Sequence, residues 1–194
     1  MRAVEPLMPR LPTRARPVVD EIHLRPGRLR DLRHLATIER ETAAMFPPGL
    51  LPPHAARPLP RARLAQSVAA SLLWVADLRE AGPVGFVMCE RHACCLHIAE
   101  MDVRPCHGRR GIGTRLLLHA CAAARELGCR AATLTTFLHL PWNAPFYAKH
   151  GFALISPAAG PAHLADALRG DAERGLTNRV AMCRKLQRGR PQAG

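Results

Sequence analysis

The sequence predicts a mixed α/β fold in which one sheet carries helices on both faces. Short apolar strands joined by turns occupy the first half of the chain, a pattern typical of hairpins. In the middle, a strand, a glycine-rich loop, a long amphipathic helix and another strand follow one another, and together with the hairpins this favours a mixed α/β sheet. No internal repeat divides the 194 residues, so we expect one domain.

The two ends of the chain differ in composition from the part between them. Residues 1–20 are rich in proline and arginine and predict a flexible leader, and residues 187–194 predict a flexible tail. The folded domain is therefore expected at 21–186. The leader lacks the apolar core of a signal peptide, and no apolar run approaches the roughly 18 residues of a membrane span.

The seven cysteines are odd in number and sit mostly within apolar segments. None forms a CxxC pair, and the histidines show no metal-ligand spacing, so we expect no bound metal. Buried reduced thiols are typical of cytoplasmic proteins, and we expect that compartment and no membrane association.

The formal charge of +13 arises from 28 basic and 15 acidic residues. Such a balance favours polyanionic partners, among them nucleic acids and phosphorylated cofactors. The arginines are scattered rather than clustered, and aromatic residues make up only 4% of the chain. Because single-stranded nucleic acids are bound largely by stacking on aromatic side chains, the composition argues against nucleic acid as the partner.

The first half of the chain predicts four strands and two helices. Leu29, Leu32 and Leu35 recur at helical spacing, and Pro47-Pro48 stops that helix. A Gly82-Pro83 turn separates two apolar runs that read as a hairpin. The predicted elements are a strand at 22–25, helices at 28–46 and 61–70, and strands at 72–76, 84–89 and 94–103.

The second half predicts a long helix followed by alternating short elements. Its apolar stripe begins at Ile112 and ends at Leu127, and Gly128 stands where a helix C-terminal glycine belongs. After it come a strand at 131–137, a short helix at 143–149, a strand at 152–155, a weakly helical segment at 161–173 and a strand at 180–184. The strand count is about seven.

The loop before the long helix, CHGRRGIGTRLL at 106–117, has the chemistry of a phosphate site. Glycines let backbone N–H groups converge, and the helix N-terminus and the arginines add positive charge. A tight connection with solvated arginines is the alternative. Gly108, Gly111 and Gly113 are spaced GxxGxG, which fits neither a Walker loop nor a dinucleotide-binding fingerprint.

Two motifs in this region resemble those of the GNAT superfamily of N-acetyltransferases. The segment VRPCHGRRGIGTRLL resembles that family's acyl-CoA loop, Gln/Arg-x-x-Gly-x-Gly/Ala, with Gly111 and Gly113 at the small positions and Gly108 where Gln or Arg is usual. The block PWNAPFYAKHGF at 141–152 resembles the family's asparagine–tyrosine–glycine–phenylalanine segment. The resemblance covers about 72–152.

The resemblance implies a mostly antiparallel sheet of about seven strands whose fourth and fifth strands splay apart around acetyl-CoA. It implies that the backbone of Met101 and Val103 pairs with pantetheine and that Asn143 reaches the same cleft, although Asn143 also suits a helix N-cap. The implied pyrophosphate-binding residues are Gly108, Arg109, Arg110, Gly111, Ile112, Gly113 and Thr114. A homodimer is common among proteins of this kind.

The implied reaction is direct attack of a primary amine on the acetyl thioester in a ternary complex. Tyr147 stands at the family's general-acid position, the alternative being a packing aromatic. Glu100 is the first candidate for the base, the alternative being a carboxylate paired with an arginine. Strand alternation places Asp102 on the same face as Glu100, where it could help to bind a cationic acceptor, and His97 on the opposite face.

Several alternatives stay open at the sequence level. A catalytically silent acyl-CoA-binding module would share the fold, and an acyl-cysteine on Cys106 would give a two-step reaction. The acceptor is a small-molecule or a protein amine. The positive charge disfavours a polycationic acceptor unless acidic residues gather at the cleft. Aromatic residues that could wall the acceptor pocket are Trp74, Phe137, Trp142 and the corner at 45–46.

Overall fold

The computed structural model describes residues 22–79 and 81–187, so the predicted leader at 1–20 and all but the first residue of the predicted tail lie outside the described residues. The strands are β1 (Ile22–Pro26), β2 (Leu73–Leu78), β3 (Gly82–His92), β4 (Cys95–Val103), β5 (Ala131–Phe137), β6 (Ala153–Leu154) and β7 (Arg179–Lys185). The α-helices are α1 (Leu32–Ala43), α2 (Arg61–Ala69), α3 (Ile112–Glu126), α4 (Ala144–Lys149) and α5 (Ala162–Glu173).

The seven strands form one sheet in the order β1-β2-β3-β4-β5-β7-β6. Every neighbouring pair is antiparallel except β4 and β5, which run parallel. The parallel pair needs a long connection, and α3 supplies it. The mixed, mostly antiparallel sheet that the sequence predicts is confirmed.

Helices cover both faces of the sheet. On one face, Leu116 and Leu117 of α3 are fully buried in the larger hydrophobic core. On the other face, Leu35 and Ile38 of α1 pack with Phe86 in a second core. The α5 helix lies over β5 and β7. Among the described residues no helix is long and apolar enough to cross a membrane.

The central strands β4 and β5 separate along their length. They pair only where Cys95–Ile98 lies beside Ala131–Leu134. Beyond this point β4 continues along β3, and β5 continues along β7. A gap therefore opens between the C-terminal ends of β4 and β5, and the predicted splay is confirmed.

A bulge in β4 changes which side chains share a face. Glu100 lies opposite Met88, but Ile98 lies opposite the next residue, Cys89, so one residue of β4 between them is left unpaired. Such a bulge reverses the alternation of side chains on either side of it. His97 and Glu100 consequently face the same cavity, and the prediction that they point to opposite faces is wrong.

Two elements differ by three or more residues from the bounds that the sequence predicts. The first helix was expected at 28–46, but it begins with a 3-10 turn at Leu29–Asp31 and its α-helical part ends at Ala43. The strand expected at 84–89 runs from Gly82 to His92. Its polar end is held by hairpin pairing with β4, and hydrogen bonding of that kind leaves no apolar pattern in the sequence.

Candidate active site

A cavity of about 620 Å³ lies on the α1 side of the gap between β4 and β5. Side chains from α1, β4, β5, α5 and the segment between α1 and α2 line it. The residues predicted for proton transfer, acceptor binding or pantetheine binding that line it are Glu100, Met101, Asp102, Asn143 and Tyr147. Val103 and the loop at 108–114 lie outside its lining, at the opposite side of the gap.

Glu39 of α1 is a buried carboxylate that the sequence analysis did not identify. Its side chain lines the cavity, and the residue is only 8% exposed. Oε1 accepts a hydrogen bond from the Leu59 N–H at 3.0 Å, and Oε2 is buried with no hydrogen-bond partner. Burial raises the pKa of Glu39 to about 7, opposed by the Leu59 hydrogen bond and reinforced by the charge of Glu100.

Glu100 and Asp102 of β4 face the same cavity as Glu39. Among the described residues neither carboxylate has an ion-pair or hydrogen-bond partner, so the surface pairing considered for Glu100 does not occur. Burial raises the pKa of Glu100, while the charge of Arg179 opposes the shift. Burial, together with the charges of Glu100 and Glu39, holds the pKa of Asp102 well above its usual range.

Tyr147 occupies the inner wall of the cavity, on α4. Its ring packs edge-on against Phe146 at 5.2 Å and Phe152 at 5.9 Å between centroids. Burial raises the pKa of Tyr147, and the charges of Glu100 and Asp102 raise it further. The phenol therefore keeps its proton and can act as a donor.

Asn143 is held by β5 and does not cap α4. Its backbone carbonyl accepts the Tyr147 N–H at 3.1 Å, which begins the helix, but its side chain makes no capping hydrogen bond. Instead the Thr136 hydroxyl donates to Asn143 Oδ1 at 2.9 Å. The N-cap interpretation of this side chain is thus wrong, and the amide is fixed beside the gap.

An arginine pair lies on the α5 side of the cavity. Asp171, which is 2% exposed, forms ion pairs with Arg174 at 2.6 Å and with Arg179 at 2.7 Å. Arg179 also donates to the Thr135 carbonyl at 3.1 Å and lies over the Phe137 ring, 4.7 Å from its centroid. Both guanidinium groups are therefore engaged with protein partners.

Three aromatic side chains form one wall of the cavity. Phe46 packs against Phe137 at 5.5 Å and against Trp142 at 6.3 Å between ring centroids. Trp74 does not belong to this wall, because it packs against His119 of α3 on the other face of the sheet. Met45 also stays outside the lining. The predicted wall is confirmed for Phe137, Trp142 and Phe46 alone.

The backbone N–H and C=O groups of two β4 residues point into the gap. The Arg104 N–H donates to the Val84 carbonyl at 2.9 Å. In an antiparallel pair, hydrogen-bonded and non-hydrogen-bonded residues alternate, and this bond sets which residues are which. Met101 and Val103 consequently direct their own N–H and C=O groups away from β3 and toward the gap.

The glycine-rich loop leads into α3 through left-handed backbone. Gly111, the N-cap residue, has φ of 78°, and Arg109 has φ of 56°. No side chain caps the helix, so the N–H groups of its first turn are left for another partner. Arg109 and Arg110 are exposed beside them. This geometry favours an anion at the start of α3.

Two residues in the first turn of α3 connect it to α4. A Cβ placed on Gly113 would lie 3.6 Å from the Phe146 ring, so the helices are in close contact there. The Thr114 hydroxyl lies 3.1 Å from His150 Nε2, and His150 Nδ1 lies 2.9 Å from the Phe146 carbonyl. Since only a protonated Nδ1 can donate to that carbonyl, Nε2 accepts from the hydroxyl when the ring is neutral.

Three cavity residues were not predicted from the sequence, and only one of them stands in a sequence pattern that could have revealed it. Glu39 stands four residues after Leu35, on the buried side of α1, and a carboxylate at such a position is itself unusual. Asp171 and Arg179 come from a weakly patterned helix and the last strand. Only the folded chain brings them beside β4, so no local pattern could have revealed them.

Cysteines and metal ligands play no part in this cavity. All seven cysteines are unpaired, and Cys106 is exposed in the turn before α3, outside the lining. Within 22–79 and 81–187, no group of three or more His, Cys, Asp or Glu side chains is arranged to hold a metal ion.

Comparison with known proteins identifies the family. Among solved structures, the PaiA N-acetyltransferase of Thermoplasma acidophilum in complex with coenzyme A has a TM-score of 0.65 at 18% identity, covering 84% of this chain and 98% of that chain. A GNAT-family acetyltransferase of Staphylococcus aureus has a TM-score of 0.67 at 15% identity, covering 86% and 99%. The N-acetylglutamate synthase of Neisseria gonorrhoeae with coenzyme A and N-acetyl-glutamate has a TM-score of 0.64 at 21% identity, covering 86% and 35%.

At these identities the likeness shows a shared fold. The sequence itself matches the model of the Acetyltransferase (GNAT) family over residues 35–152, a segment that contains both the glycine-rich loop and α4. Because this segment is more than half of the chain, the protein belongs to the Acetyltransferase (GNAT) family, a family of acyl-transferring enzymes.

Proposed function

We propose that the protein transfers the acetyl group of acetyl-CoA directly to a primary amine in a ternary complex. The observation that carries this proposal is the gap between β4 and β5. An open helix N-terminus lies on one side of it, and a cavity with carboxylates and a tyrosine lies on the other. The gap thus gives an extended cofactor a path from an anion site to an acid–base site.

The backbone would supply most of the acetyl-CoA site. Met101 and Val103 present N–H and C=O groups along the gap, where an extended pantetheine arm can pair as an added strand. The N–H groups of Gly111, Ile112, Gly113 and Thr114 and the charges of Arg109 and Arg110 would hold the pyrophosphate, with Gly108 leaving room for it. Asn143 offers its amide beside the same gap.

Glu100 and Tyr147 would move the protons of the reaction. Bound acetyl-CoA supplies an electrophilic thioester carbonyl. Glu100 accepts a proton from the attacking amine, and its raised pKa makes its carboxylate a stronger base than an exposed glutamate. Tyr147 donates its phenolic proton to the leaving thiolate sulfur. The acceptor, a small-molecule or protein amine, enters through the cavity on the α1 side.

Released CoA thiol, measured with acetyl-CoA and a panel of primary amines, tests this proposal. Glu100→Gln and Tyr147→Phe are each expected to lower kcat by about 100-fold or more, because general acid–base catalysis contributes on that scale. Both variants should bind acetyl-CoA as the wild type does. Glu126→Gln is the matched control, since it removes one exposed carboxylate from the far end of α3.

Two outcomes would contradict this mechanism. Turnover that survives both substitutions would show that neither residue carries a proton in the reaction. Acetyl-CoA binding with no amine acetylated by the wild type would instead favour the silent acyl-CoA-binding module.

A further inference from the structure

We propose that the acceptor is a dication: one amine reacts beside Glu100, and a second ammonium group, which does not react, is held by Glu39 and Asp102. This inference rests on the proposed amine acetylation and names the class of its substrate. Linear diamines and larger polyamines belong to that class. The residues that would select them come from α1 and β4, on the acceptor side of the gap.

First, one carboxylate oxygen of Glu39 is buried and accepts no hydrogen bond. Glu39 is 8% exposed and lines the cavity, yet its Oε2 has no hydrogen-bond partner. A buried carboxylate oxygen without a donor is costly, and native structures rarely keep one without a reason. An ammonium group in the cavity would supply both the missing donor and the missing positive charge.

Second, the cavity holds more carboxylates than the reaction needs as bases. The reacting amine must lose its proton before it attacks, and one carboxylate, Glu100, suffices for that step. Glu39 and Asp102 are then left over in the same cavity, and Asp102 is 9% exposed. Two surplus carboxylates in one cavity, close enough for the charge of Glu39 to raise the pKa of Asp102, make a site for a cation that stays charged.

Third, the arginines near the three carboxylates do not pair with them, although Arg57 lines the same cavity. Arg174 and Arg179 pair with Asp171, and Arg63 pairs with Glu90 at 2.8 Å. Arg40, whose charge partly offsets the pKa shift of Glu39, is exposed and donates to Thr37. Within the described part of the chain, no guanidinium lies in ion-pair distance of the three carboxylates.

The charge of the cavity also differs from that of the whole chain. Five carboxylate and four arginine side chains line it, whereas the chain carries +13 overall. The positive charge of the chain disfavours a polycationic acceptor unless acidic residues gather at the cleft. They do gather there, so the condition that would admit such an acceptor is met.

Binding of a dication should release protons. Burial raises the pKa values of Glu39, Glu100 and Asp102, and the charge of Glu100 adds to the shifts of Glu39 and Asp102, so protons neutralise part of their charge before an acceptor binds. An incoming ammonium group stabilises the ionised forms and displaces those protons. The charges of Arg179, Arg63 and Arg174 favour the ionised form of Glu100, with Asp171 opposing them, and the charge of Arg40 favours the ionised form of Glu39.

Calorimetric titration of the full chain saturated with CoA tests the inference without requiring turnover. Three probes share a five-carbon chain with an amine on the first carbon: the fifth carbon carries a second ammonium group in cadaverine, is a methyl group in pentylamine and is a carboxylate carbon in δ-aminovalerate. Cadaverine should bind at least about 10-fold more tightly than pentylamine, and δ-aminovalerate the most weakly. The heat of cadaverine binding should also change with the ionisation enthalpy of the buffer.

Glu39→Gln keeps an oxygen for the Leu59 N–H and removes the charge. It should reduce the preference for cadaverine over pentylamine to less than about 3-fold, and Asp102→Asn should act in the same direction. Glu126→Gln should leave the preference unchanged. Equal binding of cadaverine and pentylamine by the wild type would overturn the inference, as would a preference that survives both cavity substitutions.

The parallel turnover assay distinguishes the two proposals. Acetylation of pentylamine and cadaverine at the same efficiency would leave the acetyltransferase proposal standing and would contradict the dication site. Tight, Glu39-dependent cadaverine binding with no CoA released would support the site and contradict the proposed reaction.

Discussion

The two sides of the gap between β4 and β5 are built from different chemical groups. On the α3 side, backbone N–H groups in left-handed and helix-start conformations face outward, and the side chains add only diffuse positive charge. On the α1 side, carboxylates, aromatic rings and a phenol line a cavity. The α3 side suits an anion of constant shape. The α1 side suits a substrate that is selected by the side chains of the cavity.

This difference indicates which side of the gap can change its ligand specificity while the fold stays the same. The backbone site depends on the glycines of one short loop, so most side chains near it can vary without altering the anion it accepts. The cavity depends on single carboxyl groups from separate elements, such as Glu39 on α1 and Glu100 on β4. A single substitution there should change the acceptor while acetyl-CoA binding persists.

Removing the loop glycines should give the largest effect and should be confined to the α3 side. Gly111→Val combined with Gly113→Val forces a side chain onto a φ of 78° at the start of α3 and places a second side chain against the Phe146 ring. Acetyl-CoA should bind at least about 100-fold more weakly, since two or more hydrogen bonds to a charged group are lost. Equilibrium binding of acetyl-CoA measures the change.

Gly128→Val is the matched control for this double variant. Gly128 has φ of 74° and ends the same helix, far from the loop. The Gly128→Val variant should lower the free energy of unfolding because its new side chain is also forced onto a positive φ, but it should leave acetyl-CoA affinity intact. Equal loss of affinity in both variants would mean that helix strain, and not the loop, governs binding.

Removing the charge of Glu39 should have the next largest effect, and it should depend on pH. The pKa of Glu39 rises from 4.5 to about 7 on folding, so its ionisation destabilises the native state progressively as pH rises through that interval. Below pH 4.5 the penalty is absent, and above pH 7 it is complete. Glu39→Gln should therefore be more stable than the wild type at pH 8.5 by on the order of 3 kcal/mol.

Urea denaturation at about pH 5 and about pH 8.5 measures this difference. The gain should shrink strongly at the lower pH, where the wild-type carboxyl is largely protonated. Glu126→Gln, which removes an exposed charge, should show no such dependence. If Glu39→Gln raised the free energy of unfolding equally at both pH values, the raised pKa of Glu39 would be contradicted.

The smallest effect should come from the ion pair that joins the two sides. Arg104, at the end of β4, binds Glu41 of α1 through two contacts of 2.9 and 2.7 Å, and both side chains are about one-third exposed. A double-mutant cycle with Arg104→Gln and Glu41→Gln should give a coupling energy below about 1 kcal/mol, falling with added salt. A coupling above about 2 kcal/mol would show that the two sides depend on each other.

The sequence could predict the α3 side because its determinants are local. Glycine spacing and helix periodicity each lie within one short segment of the chain. The acceptor side was predicted only in part, for example through the local Asn143–Tyr147 block, because its other determinants are far apart in the sequence. Glu39 joins Glu100 only after α1 packs on β4, and one bulge in β4 reversed the expected facing of His97.

The most direct test of the whole account is an initial-rate matrix in which acetyl-CoA and cadaverine are varied together and the acetylated amine is identified by mass spectrometry. Transfer within a ternary complex predicts double-reciprocal lines that intersect, with one acetyl group added per CoA released. Parallel lines would instead indicate an acyl-enzyme, with exposed Cys106 as its candidate carrier, and would contradict direct transfer. Absence of acetylated amine with every acceptor of the panel would contradict the proposed function itself.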